Sequence, residues 1–152
     1  MDPELVDISF WLRVAASILC GFVIGLERQV RGKPVGIRTS ILICMGTMLF
    51  IYLAMNINGG VETPRVLGQV VTGVGFLGAG VIMTTKEGLV SGVTSASVVW
   101  LLAGIGAAIG LESYGVAVVI CFVATSILIG VELLETAYKA LRRGVHRHKQ
   151  ED

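Results

Sequence analysis

Five long runs of apolar residues alternate with short polar segments along the chain. A helix needs about 20 apolar residues to cross a bilayer, because the hydrocarbon core is about 30 Å thick and each residue advances the helix by about 1.5 Å. The pattern therefore predicts an all-α, polytopic membrane helix bundle with about five transmembrane helices. The predicted spans are Ile8 to Leu26, Ile37 to Met55, Val66 to Thr84, Gly92 to Ile109 and Tyr114 to Leu134.

The composition agrees with a membrane protein. Of the 152 residues, 54% are hydrophobic and 15% are charged, and a soluble domain of this size cannot bury so much apolar surface. The first run follows Asp2, Glu4 and Asp7, whereas a secretory signal peptide has a positive leader, so we expect the first span to stay in the mature protein. Aromatic residues are few and are not interleaved with a basic patch, so no nucleic acid is expected as a partner.

The basic residues predict the orientation, since Lys and Arg favour the cytoplasmic side. With the N-terminus outside and the C-terminus in the cytoplasm of a bacterium, only Arg13 and Arg65 lie toward the outside of the inner membrane. The other ten of the twelve basic residues are then cytoplasmic: Arg28, Arg31, Lys33, Arg38, Lys86, Lys139, Arg142, Arg143, Arg147 and Lys149.

Two regions are predicted from this pattern. Residues 1–138 form the five-helix transmembrane domain, and residues 139–152 form a basic cytoplasmic tail. Such a tail is attracted to anionic headgroups by about 1 kcal/mol for each nearby Lys or Arg. His146 and His148 are too few for a metal site, so neither a metal nor a cofactor is expected.

Small residues recur at helical spacing in the apolar runs. Ser17, Gly21 and Gly25 form one stripe along the first span. Such stripes let a second helix approach closely, and close packing drives helix association in lipid. The contact is either within one chain or between two, and a homo-oligomer is expected. The fourth span has two similar pairs, Ala103 with Ala107 and Gly106 with Gly110.

The third span contains a glycine-rich segment with Gly73, Gly75, Gly78 and Gly80. Its formal GxGxxG pattern is not a dinucleotide site, because that motif follows a strand and opens a solvent-facing helix. The four glycines point around most of the helix. Two interpretations remain open: a central helix packed closely by neighbours on several sides, or a locally unwound segment that lines a polar cavity.

Polar residues from four spans share a depth near the predicted cytoplasmic face, whereas Arg13, Gln69 and Glu112 form a sparser set toward the outside. One interpretation of the cytoplasmic set is structural, as membrane-edge anchors and ion pairs such as Glu27 with Arg38. The other is a polar pocket, open to the cytoplasm, that binds an ion or a partner. The candidate site comprises Glu27, Arg38, Thr39, Thr94, Ser95 and Glu132.

No arrangement in the sequence indicates an enzyme. It has no paired carboxylates, no nucleophile beside a base and no metal-ligand cluster. Cys20, Cys44 and Cys121 lie inside apolar runs without a CxxC pair, so we expect them to be buried packing residues.

Several collinear motifs resemble the membrane domain of the MgtC/SapB family, over roughly residues 14–110. They are Glu27-Arg28, then residues 33–39 (KPVGIRT), then Pro64-Arg65 with Gln69 and residues 70–82 (VVTGVGFLGAGVI), and finally residues 94–100 (TSASVVW), which end at Trp100. The family usually has Thr-Thr-Ala-Ala where this chain has Thr94-Ser95-Ala96-Ser97, and the hydroxyls at Thr94 and Ser95 are kept.

The resemblance implies a multi-span inner-membrane protein linked to growth in low magnesium and, in pathogens, to virulence. It also implies a regulatory interaction with the membrane part of the F-type ATP synthase. Longer family members add a soluble domain after the spans, so the resemblance is to the short form. A transporter or channel for a cation such as magnesium is the alternative, using the Gly73 to Gly80 segment and the cytoplasmic-side polar residues.

Overall fold

A computed structural model describes residues 7–84 and 89–137 of the chain. These residues form five α-helices, a short 3₁₀ turn and a two-stranded hairpin, which confirms the predicted all-α helix bundle. The predicted tail, residues 139–152, lies outside the described residues. The elements are α1 (Ile8–Val30), α2 (Ile37–Asn56), α3 (Thr63–Ala79), β1 (Met83–Thr84), β2 (Val90–Ser91), α4 (Val93–Gly110) and α5 (Tyr114–Ala137).

Local sequence explains where α1 begins and how the chain turns from α1 into α2. The Asp7 carboxylate accepts a hydrogen bond from the Ile8 N–H at 2.6 Å and caps the start of α1. Between the two helices, Gly32 and Val35 adopt φ values of +62° and +67°, which reverse the chain. The Val35 carbonyl accepts a hydrogen bond from the Ser40 hydroxyl at 3.3 Å, and this contact holds the turn against the first turn of α2.

Consecutive helices run in opposite directions, so the bundle has two distinct ends. We call the end where α1 finishes and α2 begins the basic end, since Arg28, Arg31, Lys33 and Arg38 lie there. The end of α3, the start of α4 and the end of α5 share it, as the contacts of Gly78 with Ala96 and the polar contacts described below show. The opposite end holds the start of α1 and the α4–α5 turn.

The closely packed core is formed by α1, α2 and α4. Ile24, Cys44, Ile51, Leu102 and Ile109 are fully buried among these helices. Small residues bring the backbones together: a Cβ atom added to the glycines of α1 or to Gly106 of α4 would overlap backbone atoms of α2, as close as 2.2 Å at Gly106. The small-residue stripe of α1 and the small pairs of α4 therefore serve packing within one chain.

Helix α3 differs from its prediction in length. It ends at Ala79 rather than near Thr84, and its 17 residues span about 25 Å. In the described part of the chain, the other four helices are long and apolar enough to cross a membrane. The chain leaves α3 because residues after Gly80 pair as strands instead, with Met83 opposite Ser91.

Both interpretations of the glycine-rich segment of α3, as a closely packed central helix or as an unwound segment, are wrong. The segment is regular helix through Ala79, so it is not unwound. Nor is it packed on several sides, because Cβ atoms added to Gly73 or Gly75 would meet no atom within 4 Å, and only Gly78 faces another helix, at Ala96 of α4. Val74 and Gly78 are the buried residues of this helix. Helix α3 therefore lies at the edge of the bundle.

Candidate functional site

Polar side chains at the basic end connect α1, α4 and α5. Arg28 donates a hydrogen bond from Nη2 to Ser95 Oγ at 2.5 Å, which joins α1 to α4. The Arg31 guanidinium lies between two carboxylates, with Nε 2.7 Å from Glu27 Oε1 and Nη1 paired with Glu132 of α5. We call Glu27, Arg28, Arg31, Ser95 and Glu132 the basic-end network.

Burial within the network is uneven. The Glu27 side chain is only 5% exposed, whereas those of Arg31 and Glu132 are 20% and 45% exposed. Neither carboxylate oxygen of Glu27 has a hydrogen-bond partner among the described residues, so its contact with Arg31 is an ion pair without hydrogen-bond alignment. The network thus runs from a buried carboxylate to a partly exposed one.

The sequence places this network through helix geometry. Glu27 and Arg31 are four residues apart, so they lie on the same side of α1. The carbonyl dipoles at the end of a helix favour cations, and Arg28 and Arg31 occupy the last turn and the C-cap of α1. Ser95 is buried in the first turn of α4.

The structure brings together three of the six predicted site residues, Glu27, Ser95 and Glu132. Arg38, Thr39 and Thr94 are exposed and make none of the network contacts. The suggested pairing of Glu27 with Arg38 is replaced by the pair with Arg31, because Arg31 lies one turn along the same helix whereas Arg38 begins α2.

Two network residues were missed as site candidates. The sequence singles out Arg28 only as a basic residue of a family motif, and Arg31 only for its charge. The spacing of Glu27 and Arg31 within one helix would have indicated Arg31. No sequence signal would have indicated the bond from Arg28 to Ser95, since it joins residues 67 positions apart.

A second polar cluster lies at the opposite end. Arg13 is buried, pairs with Glu112, donates to Ser9 Oγ at 3.2 Å and lies over the Tyr52 ring at 4.7 Å from its centre. It thereby joins the start of α1 to the end of α2 and to the α4–α5 turn. Charged clusters at both ends are separated by the apolar core of the bundle.

Other predicted residues lie outside both clusters. Arg65 is exposed and pairs with Glu62, with Nε 2.5 Å from the carboxylate. Gln69 is exposed on α3, and Trp100 is 57% exposed on α4. Their roles as family-motif residues stay predictions.

The cysteines agree with the prediction of buried packing residues. Cys20, Cys44 and Cys121 are free and buried, and the Cys121 thiol donates to the Cys20 carbonyl at 3.7 Å across α1 and α5. Among residues 7–84 and 89–137, no three His, Cys, Asp or Glu side chains are grouped to hold a metal ion. The chemistry available at the basic end is therefore that of one guanidinium held between two carboxylates.

Comparisons with known proteins agree with this membrane architecture. The model of the MgtC family matches residues 14–137. No solved structure matches.

Three curated relatives show the similarity. "Putative magnesium transporter YhiD" of Escherichia coli K12 is 42% identical over 109 residues, covering 66% of this chain and 50% of the relative. Protein SapB of Bacillus subtilis is 33% identical over 124 residues, covering 75% and 50%. Protein MgtC of Salmonella typhimurium is 39% identical over 116 residues, covering 75% and 48%.

This chain spans about half the length of the curated relatives that it matches. The family match covers the five helices from within α1 to the end of α5. Together with the four long apolar helices, it makes the chain a multi-pass membrane protein. The protein belongs to the MgtC family.

Proposed function

We propose that this protein is a regulatory protein of the bacterial inner membrane, with its N-terminus outside and its C-terminus in the cytoplasm. In this proposal it supports adaptation to low magnesium and, if the bacterium is a pathogen, virulence, by contacting membrane complexes such as the F-type ATP synthase. Lipid and partner proteins are its ligands, and no catalytic step is assigned to it.

The observation that carries this proposal is the position of the polar network. Glu27, Arg28, Arg31, Ser95 and Glu132 are collected at one end, and the centre of the bundle is closely packed and apolar. Arg31 and Glu132 are partly exposed, so a partner at that membrane surface has a charged pair to recognise. Charge complementarity of this kind favours specific contacts between proteins.

The proposal is tested in a strain that lacks the gene and grows poorly in low magnesium. We expect the wild-type gene to restore growth and Arg31→Ala to restore it at least tenfold less well, at equal protein level in the membrane. Arg65→Ala is the matched control, because Arg65 is an exposed arginine at the opposite end with one carboxylate partner. Full restoration by Arg31→Ala contradicts the role of the network.

A partner is tested by crosslinking from the same end. A photoreactive side chain at exposed Thr94 should capture a subunit of a membrane complex, whereas one at exposed Val61 of the opposite end should not. ATP synthesis by membrane vesicles, measured with and without the protein, tests the ATP synthase as that complex. Equal rates in both vesicles count against it.

A homo-oligomer is also proposed. The stripe of Ser17, Gly21 and Gly25 is occupied by α2 of the same chain, so a subunit contact requires another surface. Light scattering in detergent measures the molar mass of the protein. A monomeric mass at a protein concentration as high as that in the membrane would rule the oligomer out.

A second candidate function is cation transport, with magnesium as the ion. The observation in its favour is Glu27, a buried carboxylate whose two oxygens accept no hydrogen bond among the described residues. The relative YhiD carries a name that proposes magnesium transport. The glycine segment does not supply the free backbone groups that this function would require, because it is helical.

Transport is tested by magnesium uptake into proteoliposomes. If the chain transports the ion, uptake exceeds that of empty vesicles and Glu27→Gln lowers it at least tenfold, while Glu62→Gln at the opposite end leaves it unchanged. Uptake equal to that of empty vesicles excludes this function for magnesium.

A further inference from the structure

An open groove of about 580 Å³ separates α2 from α3. Its walls are mostly apolar, with Leu42 and Phe50 on α2 and Val70 and Leu77 on α3, and its polar lining residues are Thr39, Thr47 and Gln69. Gly46 and Gly73 widen it, since a Cβ atom added to either glycine would meet no atom within 4 Å. The groove is therefore large enough for a slender apolar ligand and faces the surroundings of the bundle.

The length of the groove matches one leaflet of a bilayer. On α2 it extends over eleven residue steps from Thr39 to Phe50, and on α3 over eleven steps from Leu77 to Val66. Eleven steps of a helix correspond to about 16 Å. Half of a hydrocarbon core of about 30 Å is about 15 Å. A lipid acyl chain of one leaflet thus has the length of this groove.

One end of the groove lies at the basic end of the bundle, and we call this end the opening. Thr39 and Leu77 line it there, and Arg38 lies four residues before Leu42, on the same side of α2. Arg38 and Lys33 are exposed, and neither has an ion pair with a described residue. The first N–H of α2, that of Ile37, donates to the Gln29 side chain at 3.2 Å, so the anion contacts here come from the two cations. Two exposed cations without an ion-pair partner among the described residues favour an anion at this opening.

We propose that the groove binds one acyl chain of an anionic phospholipid, with the lipid phosphate held by Arg38 and Lys33. This proposal is independent of the regulatory and transport functions. The polar side chain of Gln69 lies eight residues, or about 12 Å, along α3 from Leu77. The methyl end of the acyl chain reaches Gln69, and the phosphate of the lipid stays at the opening.

The charges at the opening also favour a lipid over a second copy of the protein as the occupant of the groove. A second copy in the same membrane orientation would bring its own Arg38 and Lys33 to the same end. Like charges would then approach each other at the opening, whereas an anionic headgroup neutralises them. A zwitterionic phospholipid fits the apolar groove equally well but gains less from the two cations.

The test uses native mass spectrometry of the detergent-purified protein titrated with phosphatidylglycerol or phosphatidylcholine of identical acyl chains. Phosphatidylglycerol should bind at least fivefold more tightly. Arg38→Gln and Lys33→Gln should each weaken phosphatidylglycerol binding about fivefold, because one surface cation contributes about 1 kcal/mol. Equal affinity of the wild-type protein for both lipids overturns the proposal.

Two glycines of α3 provide a matched pair for the groove itself. Gly73 lines the groove, whereas Gly75 does not, and added Cβ atoms at both positions would meet open space. Gly73→Leu should lower phosphatidylglycerol binding at least tenfold, and Gly75→Leu should leave it within twofold of wild type. Circular dichroism checks that both variants are folded.

Two results contradict the groove as the binding site. One is equal lipid binding by both folded leucine variants. The other is a Gly73→Leu protein that changes from dimer to monomer while keeping its lipid affinity, because the groove would then be a contact between subunits. If Gly73→Leu fails to fold, Gly46→Leu on the facing wall replaces it, with the same expected loss.

Discussion

Gly21 and Gly25 of α1 and Gly106 and Gly110 of α4 contact α2, whereas Gly73 and Gly75 of α3 face open space. Cβ atoms added to Gly21 and Gly25 would lie 2.6 Å from backbone atoms of α2, and one added to Gly106 would lie 2.2 Å from the Cys44 carbonyl oxygen. At Gly73 and Gly75 of α3 nothing lies within 4 Å. The same residue type in equally apolar helices thus serves close packing in one region and leaves a free surface in the other.

This difference shows that a glycine in a membrane helix does not by itself indicate a close contact with another helix. A glycine in the middle of a helix lowers helix stability by up to about 1 kcal/mol relative to alanine. In α1 and α4 the close contact with α2 offsets that loss through van der Waals packing. In α3 no described neighbour offsets it at Gly73, and the groove that Gly73 widens is the feature that the glycine creates.

Gly106→Ala should have the largest effect. The new methyl group would overlap the Cys44 carbonyl and force α4 away from α2, at a cost of about 3 kcal/mol or more. Thermal unfolding in detergent measures the loss. Gly104→Ala, in the same helix but with no atom within 4 Å, is the control and should be at least as stable as wild type, with a gain of up to about 1 kcal/mol from helix propensity. Equal melting of the two variants would contradict the close α2–α4 contact.

Gly21→Ala should destabilise the protein by about 2 kcal/mol, because its methyl group meets the Ile41 backbone and α1 must shift. Chemical denaturation in mixed micelles measures the change. Gly130→Ala of α5 is the control, since its methyl group enters open space. A neutral Gly21→Ala would show that the two helices are separated further than the structure indicates.

The backbone amides of α3 should exchange with solvent deuterium about tenfold faster than those of α4, equivalent to a difference in opening free energy of about 1.4 kcal/mol. Two residues of α3 are buried, compared with ten of α4. Exchange followed by mass spectrometry in detergent gives the ratio for peptides from each helix. Equal protection would mean that α3 has a further partner in solution.

Gly75→Ala should have the smallest effect, a stabilisation of up to about 1 kcal/mol from helix propensity alone. Thermal unfolding in detergent gives the difference from wild type. A loss of stability or of oligomer mass would show that the outer face of α3 is covered by another molecule. The comparison between α3 and the core would then hold only for the isolated chain.

Much of the fold follows from hydropathy. The predicted spans beginning at Ile8, Ile37 and Tyr114 start where the helices start, since a run of apolar residues in lipid has to form a helix to pair its backbone groups. The end of the third span was predicted five residues late, at Thr84 instead of Ala79, because Val81, Ile82 and Met83 continue the apolar run although the helix has already ended. Gly92 permits the turn from the hairpin into α4, because it adopts a φ of +90°. A Cβ atom added to Gly92 would lie only 2.2 Å from the Val81 carbonyl oxygen.

The candidate site was predicted less completely. Glu27, Ser95 and Glu132 were placed at one depth because alternating helices return polar ends to the same face. Their partners depend on rotations of the helices about their axes, which a stretch of apolar residues does not determine. Arg31 therefore replaced Arg38 as the partner of Glu27.

The sequence by itself determined the number of apolar helices, their approximate bounds and the collection of basic residues at one end. These features depend on the hydropathy and charge of consecutive residues and on the thickness of a bilayer. The tertiary structure decided which glycines touch a neighbouring helix and which line a groove, and it decided that Arg28 meets Ser95. Those contacts depend on how helices rotate and cross, and small residues permit close approach without selecting the helix that approaches.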